Sequence, residues 1–467
     1  MESIWTETCA IPPRDALSDD TEAEVAVIAA ALQKAGRRVV VLEANRIAGG
    51  QTRGTTAKIT AQHGAFASRL IQTFGEERAK RYVAANLDAV EAYRTLIRKE
   101  HIDCEFEEKD AYLYGDDAER LERETEAEAR LGLPASFLRD PDVPDHALAA
   151  VRVERQAQFH PLKFLRAVSE PLTVYEHTPV QSVEDHVLIT GGGRVRAEHI
   201  VFACHYPFVN FPGLYFARMH QERSYVLALE NAAAPDGMWV GADDGGYSFR
   251  ACGGLLLLGG GAHRTGENHG GGRYGELRRR AAEWFPDSRE AARWSALECM
   301  PADGVPYIGR YAFSRPSWYV ATGFQKWGMT SSMAAARLLR DLICGRENPY
   351  AEVFDPGRLG LKAVSGVASE GRHAAKGLAK RVFQAPAISA ARLPDSRGGV
   401  VFLRGKKVGA YKDERGSMHA VDIRCPHLGC QVEWNPDERS WDCPCHGSRF
   451  NCRGELISGP AREGLRR

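Results

Sequence analysis

Near the C-terminus, CPHLGCQVEWNPDERSWDCPCHGSRF sets His427 two residues after Cys425 and, past fifteen intervening residues, His446 three residues after Cys443. Two thiolates and two imidazoles so spaced are candidate metal ligands, and by donor type alone they would satisfy a tetrahedral zinc ion. The same two loops also carry Cys430 and Cys445, and Cys452 follows shortly. Five of the eleven cysteines thus crowd together while six lie far apart, which suits a metal in one place and a reducing compartment around the rest. Cys452 matches no ligand position and reads as a small apolar filler.

A second set of residues is arranged for a nucleotide. In EVAVIAAALQKAGRRVVVLEA, residues 24–44, an apolar run, helix formers ending in Gly36 and a second apolar run closing on Glu43 outline a dinucleotide-binding βαβ unit. Yet no Gly-x-Gly-x-x-Gly turn follows the first run, and only AAALQKAG separates Ile28 from Arg37. A crossover between parallel strands needs at least ~10–12 residues. Residues 29–36 as helix rise only ~12 Å. The pyrophosphate turn reads as deleted.

The two cysteine-histidine loops, with the Gly-Ser after His446, resemble the Rieske 2Fe–2S family, whose loops follow C-x-H-x-G-C and C-P-C-H-G-S. The resemblance covers roughly residues 388–467 and implies a small all-β domain. It implies that Cys425 and Cys443 hold one iron and His427 and His446 the other. It also implies a disulfide between Cys430 and Cys445, a hydrogen bond from Ser448 to the cluster, and a cover formed by GELISGPA. Two neutral imidazoles in place of thiolates make such a cluster less negative and easier to reduce. Where high-potential members carry a hydroxyl-bearing Tyr, this chain has Phe450.

Residues 300–357, with WYVATG followed by a tight loop and a helix from about Thr330, resemble the C-terminal signature of D-amino-acid-oxidase-like FAD enzymes. In them a helix N-terminus faces the flavin ring, where its unpaired N–H groups and dipole favour the negative charge of reduction. The resemblance extends over most of residues 1–357 and implies an α/β, Rossmann-like FAD-binding fold with a β-rich substrate half. It gives cofactor-binding roles to Glu43, Gly49, Gly50, Gln51, Thr52, Val180, Ala203, Gly323, Trp327, Gly328 and Met329. Lys58 and His63 follow the flavin loop and are candidates for catalysis at the ring, against the plainer reading of an exposed Lys and a His satisfied in the core. GGGAHRTG at 259–266 reads as a mobile loop of the substrate half, and DDAERLERETEAEARLG as a charged helix with a solvated face.

The expected organisation is an FAD-dependent oxidoreductase domain over 1–357, with its FAD-binding part at about 20–65, 160–210 and 300–357. A linker at 358–387 and a Rieske domain at 388–467 follow. Lys plus Arg and Asp plus Glu both number 61, which argues against a nucleic-acid partner. No apolar stretch reaches the ~18 residues of a membrane span. MESIWTETCAIPPRD lacks a signal-peptide pattern, so a cytoplasmic protein is expected. The two resemblances imply an oxidoreductase in which FAD oxidises an amine- or amino-acid-like small molecule and the 2Fe–2S cluster exchanges single electrons with a donor or acceptor protein. The alternative is a Rieske electron carrier whose flavin domain is disabled by its missing turn, with FAD weak or absent.

Overall fold

The computed structural model describes residues 3–26, 35–243, 245–358, 371–372 and 389–467. The segment lacking the glycine-rich turn, 27–34, lies outside them, as does nearly all of the expected linker at 358–387. Arg358 is described, and its guanidinium grips Asp303 at 2.8 Å, so it is anchored to the large N-terminal part.

The first sheet has eight strands, with a main path in the order Tyr307–Ala312, Arg315–Thr322, Arg194–Phe202, Thr21–Ala26, Val39–Leu42 and Thr173–Tyr175. The last five run parallel to one another, and the first pairs antiparallel with the second. Strands such as VVVL and the IVF end of Arg194–Phe202 are apolar at consecutive positions, as strands covered on both faces must be. Parallel pairing brings the carboxyl ends to one edge. The chain leaves that edge at Glu43, Glu176, Ala203 and Gly323. In open α/β sheets this edge is where ligands bind.

The second sheet has nine strands and is mostly antiparallel, its main path running from Arg289–Pro301 through Met219–Glu230, Leu255–Arg264, Ser248–Cys252, Met238–Gly241, Glu107–Gly115 and Ala149–Gln158 to Lys58–Ile59. This is the β-rich half expected from the sequence. The reading of GGGAHRTG as a mobile loop is corrected here, because Gly259–Arg264 complete the strand Leu255–Arg264 and pair with Met219–Glu230. Its glycines answer close packing: a Cβ on Gly260 would lie 2.7 Å from the Tyr247 ring. The charged helix forms at Ala118–Arg130, N-capped by Asp117, which accepts from the Arg120 N–H. Its face is only partly solvated, since Glu124 and Glu128 are buried. They accept from the Ser68 N–H at 3.2 Å and from Gln62 Nε2 at 3.1 Å, which gives the polar 62–68 turn its partners.

The C-terminal part consists of a three-stranded sheet, Arg397–Leu403, Lys406–Lys412 and Met418–Val421, and a four-stranded one spanning Glu433–Asn435 to Leu456–Ser458. Trp434, Trp441, Val432 and Phe450 fill the core between them.

Candidate functional site

The two cysteine-histidine loops close in the same way. Cys425 N–H donates to Cys430 O at 2.9 Å and Gly429 N–H to Cys425 O at 2.9 Å; in the second loop Cys443 N–H donates to Ser448 O at 2.8 Å and Gly447 N–H to Cys443 O at 2.9 Å. Gly429 and Gly447 sit at φ +81° and +79°, a turn conformation that favours glycine. This shared scaffold pairs the donors by type. The Cys425 and Cys443 thiols interact with each other, and His427 Nδ1 lies 3.2 Å from His446 Nδ1.

The Cys443 thiol pulls the Cys425 thiol down against burial, helped by the N–H groups of His427 and Leu428 and the Ser448 hydroxyl. Cys443 is pushed up by Cys425 and by burial, against the N–H groups of His446 and Cys445. Donors aimed at both sulfurs are what metal-bound thiolates require. Two sulfurs on one side and two imidazoles on the other fit a 2Fe–2S cluster with one iron of each kind. Cys430 and Cys445 are joined in a disulfide that ties the two loops together. Ser448 Oγ accepts from the Ala461 N–H at 3.0 Å, which anchors the GELISGPA segment over the loops.

The second site is the carboxyl edge of the parallel sheet. Glu43 ends its strand with its N–H on Tyr175 O and its carbonyl accepting from Thr178, both at 2.9 Å. Burial raises its carboxyl, while the Asn45 N–H works in the opposite direction. Glu176, fully buried, accepts from the Ile47 N–H at 2.7 Å and so aims the following loop back along the edge. In that loop Gly49 and Thr52 are half-buried, and Gly50 borders open space: a Cβ there meets nothing within 4 Å among the described residues. Gln51 Oε1 is engaged by the Leu297 N–H at 2.8 Å, so this side chain fixes the loop to the substrate sheet. Val180 lies just beyond Thr178 and packs on the core beneath. Ala203 and Cys204 are exposed, yet burial of the sulfur among protein atoms pushes the Cys204 thiol up to about 11.

Gly323 turns the chain at φ +76° toward the helix Gly328–Ile343. No side chain caps that helix, and a Cβ on Gly328 would again meet open space among the described residues. Orphan N–H groups beside a vacant volume are what a flavin ring needs at that position. Trp327 stacks on His63 with centroids 5.1 Å apart and planes 6° from parallel. His63 is satisfied on both nitrogens, by Tyr82 Oη at 2.6 Å and by Thr60 O and Thr330 Oγ1 at 3.0 Å, and burial pushes it down to about 3. It braces the helix start as a neutral ring. Met329 uses its carbonyl to accept from Tyr93 Oη at 3.1 Å. Lys58 lines the same pocket as Trp327, Gln62 and Tyr112, and burial plus the charge of Arg250 lower its amine to about 7.

Sequence reasoning missed how the two sites meet. Over the first half of the strand Met219–Glu230, as far as Tyr225, buried and half-buried residues alternate, and Met219, Gln221, Arg223 and Tyr225 share the buried face. Met219 Sδ touches Cys299 and Thr322. Gln221 Nε2 donates to His446 O at 2.6 Å. Arg223, with no exposed surface, pairs with Glu438 at 3.0 Å and Asp442 at 3.6 Å. Arg449 closes the lattice from the other side, at 3.1 Å and 3.4 Å. Tyr225 meets Asn435. Arg264 and Asn268 add bonds to Pro444 O at 3.1 Å and to Asp437 at 2.8 Å. The available signal was the period-2 pattern MHQERSY, which puts Gln and Arg at inward positions where an isolated sheet would carry apolar residues.

Comparisons match each of the two parts of the chain to a family. Residues 26–342 match the FAD dependent oxidoreductase family, and residues 385–467 match the Rieske 2Fe–2S domain. The Bacillus subtilis (strain 168) protein YhfW, named for a Rieske 2Fe–2S iron-sulfur centre, is 36% identical over 493 aligned positions, covering 100% of this chain and 97% of that protein. The cytochrome b6-f complex iron-sulfur subunit of Chlorobaculum thiosulfatiphilum is 35% identical over 81 residues, 17% of this chain and 44% of the subunit. Among solved structures, glycine oxidase from Geobacillus kaustophilus superposes with a TM-score of 0.60 at 19% identity, covering 73% of this chain and 99% of its own. Among the described residues no helix is long and apolar enough to cross a membrane. The chain is therefore an oxidoreductase of the D-amino-acid-oxidase-like FAD dependent family, carrying a C-terminal Rieske 2Fe–2S domain.

Proposed function

We propose that this oxidoreductase oxidises an amine- or amino-acid-like small molecule in the cleft at the Gly323 edge and passes the electrons one at a time through the Rieske domain to a redox protein. Bound at these sites, FAD supplies two-electron oxidation and the 2Fe–2S cluster one-electron transfer, so their pairing converts one into the other. Glu43 is suited to hold the ribose hydroxyls, and the loop Gly49–Thr52 and the start of the helix Gly328–Ile343 to hold the pyrophosphate side and the ring. Lys58, with its lowered amine, offers a proton acceptor or an anion anchor in the pocket beside Trp327. The amine class draws support from the fold similarity to a glycine oxidase.

The observation that carries this reading is the contact between the two sites. Thr322, next to Gly323, donates to His205 O at 2.5 Å; the His205 ring adjoins Gln221, whose amide holds His446 O. A cytoplasmic location fits the free thiols outside the cluster loops, among them Cys9, Cys104 and Cys299.

The shortened connection at 29–36 favours a second reading, an electron carrier with a disabled flavin part. The alignment to YhfW, longer than this chain, means that relative holds residues without counterparts here. The flavin-to-iron ratio of purified protein, followed by anaerobic addition of amines and amino acids, separates the two. Bleaching of bound flavin followed by reduction of the cluster supports the enzyme. An iron-replete chain that takes up no FAD, and regains it when a glycine-rich turn is inserted between Ile28 and Ala29, supports the carrier.

A further inference from the structure

With the two Nδ1 atoms facing each other, the outward nitrogen of His427 is Nε2, and it lies 2.8 Å from Asn210 Oδ1. A neutral imidazole that binds metal through Nδ1 carries its hydrogen on Nε2, so whatever meets that nitrogen has to be an acceptor. The Asn210 amide oxygen is one. Asn210 belongs to the FAD-binding part: it follows the strand Arg194–Phe202 and precedes the turn Tyr215–Ala217. Its surroundings hold the same loops. The rings of Tyr206 and Phe216 lie 6.4 Å and 6.0 Å from that of His446, and Gln221 pins the His446 carbonyl.

We propose that Asn210 is a positioning residue for the cluster, supplied by the FAD domain, and that through it this domain sets the potential of the Rieske centre. Acceptance of the Nε2 hydrogen moves electron density onto the imidazole and makes it a more basic ligand. A more basic ligand favours the oxidised, more positive state of its iron and lowers the midpoint. The inference rests on His427 and His446 being ligands through Nδ1.

The test uses the full chain with its cluster assembled. Asn210→Ala removes the acceptor, and its midpoint shifts upward. Asn210→Asp keeps an acceptor and adds negative charge, and its midpoint shifts downward. Iron and acid-labile sulfide are counted in each, and the electron paramagnetic resonance signal of the reduced cluster is recorded, its g values moving with the His427 ligand field. Opposite signs support the role, because a merely structural change moves both variants the same way. Two shifts of one sign, or none, with iron and sulfide complete, overturn it. Should Asn210→Ala lose its cluster, the sign of the Asn210→Asp shift decides alone. A parent protein without acid-labile sulfide would instead overturn the assignment of the ligands.

Discussion

Replacing Arg223 by Met should release the Rieske domain from the FAD part without destroying either. In the parent, Arg223 and Arg449 face Glu438 and Asp442 in a lattice that is neutral as a whole, with Arg223 and Asp442 fully buried. Burial alone would raise both carboxyls; Arg223 and Arg449 together hold them below their ordinary range. Arg223→Met leaves two carboxylates to one guanidinium in a place water does not reach. Breaking a buried ion pair from one side costs about 3–5 kcal/mol. At ~1.4 kcal/mol per tenfold, the docking equilibrium falls by on the order of a hundred- to several thousand-fold. Hydrogen exchange read by mass spectrometry over 263–273 and 434–442 is the assay, with iron and sulfide counted to confirm that the cluster survives. Both segments should lose protection together. Adding Glu438→Gln restores neutrality, leaving Arg449 with Asp442, and should recover much of that protection. The reasoning is refuted if Arg223→Met exchanges like the parent, or if the double variant is worse than the single one.

Ser448→Ala should lower the cluster midpoint, since the Ser448 hydroxyl acts on the Cys425 sulfur and hydrogen bonds to charged acceptors are worth ~1.5–3 kcal/mol, or on the order of 60–130 mV for one electron. A redox titration without a shift in a protein of full iron content would dismiss that bond. Replacing Cys430 and Cys445 together by Ser should leave ligands in place yet lower stability by about 3 kcal/mol, the expectation for a loop of this 15-residue separation, measured by denaturant unfolding. Lys58→Met addresses pH. The folded amine gives up its proton at about 7 rather than 10.5, so between those values the unfolded chain holds more protons and stability climbs with pH. The variant should flatten that climb, and a parent whose unfolding free energy is level across this window would contradict the burial of Lys58.

The Rieske loops were legible from the sequence because their chemistry is local: the spacing C-x-H-x-G-C and C-P-C-H-G-S and the glycines at φ +81° and +79° lie within six residues of each ligand. The parallel strands were legible for a similar reason, since apolar runs such as VVVL name their own environment. GGGAHRTG misled, because glycine marks both flexible loops and strands under close packing, and only the Tyr247 ring above Gly260 distinguishes them. Glu124 and Glu128 misled because a helix pattern cannot show that the 62–68 turn needs acceptors. Lys58 and His63 stand five residues apart, yet one faces a pocket and the other braces a helix. The contact between the domains was least visible. Asn210, Gln221 and Arg223 find partners more than two hundred residues away, at His427, His446 and Glu438. Sequence spacing determines which groups can bind a cluster. Which polar groups then surround it is decided by the burial of two surfaces against each other, where every donor and charge taken from water must find a partner that local sequence does not name.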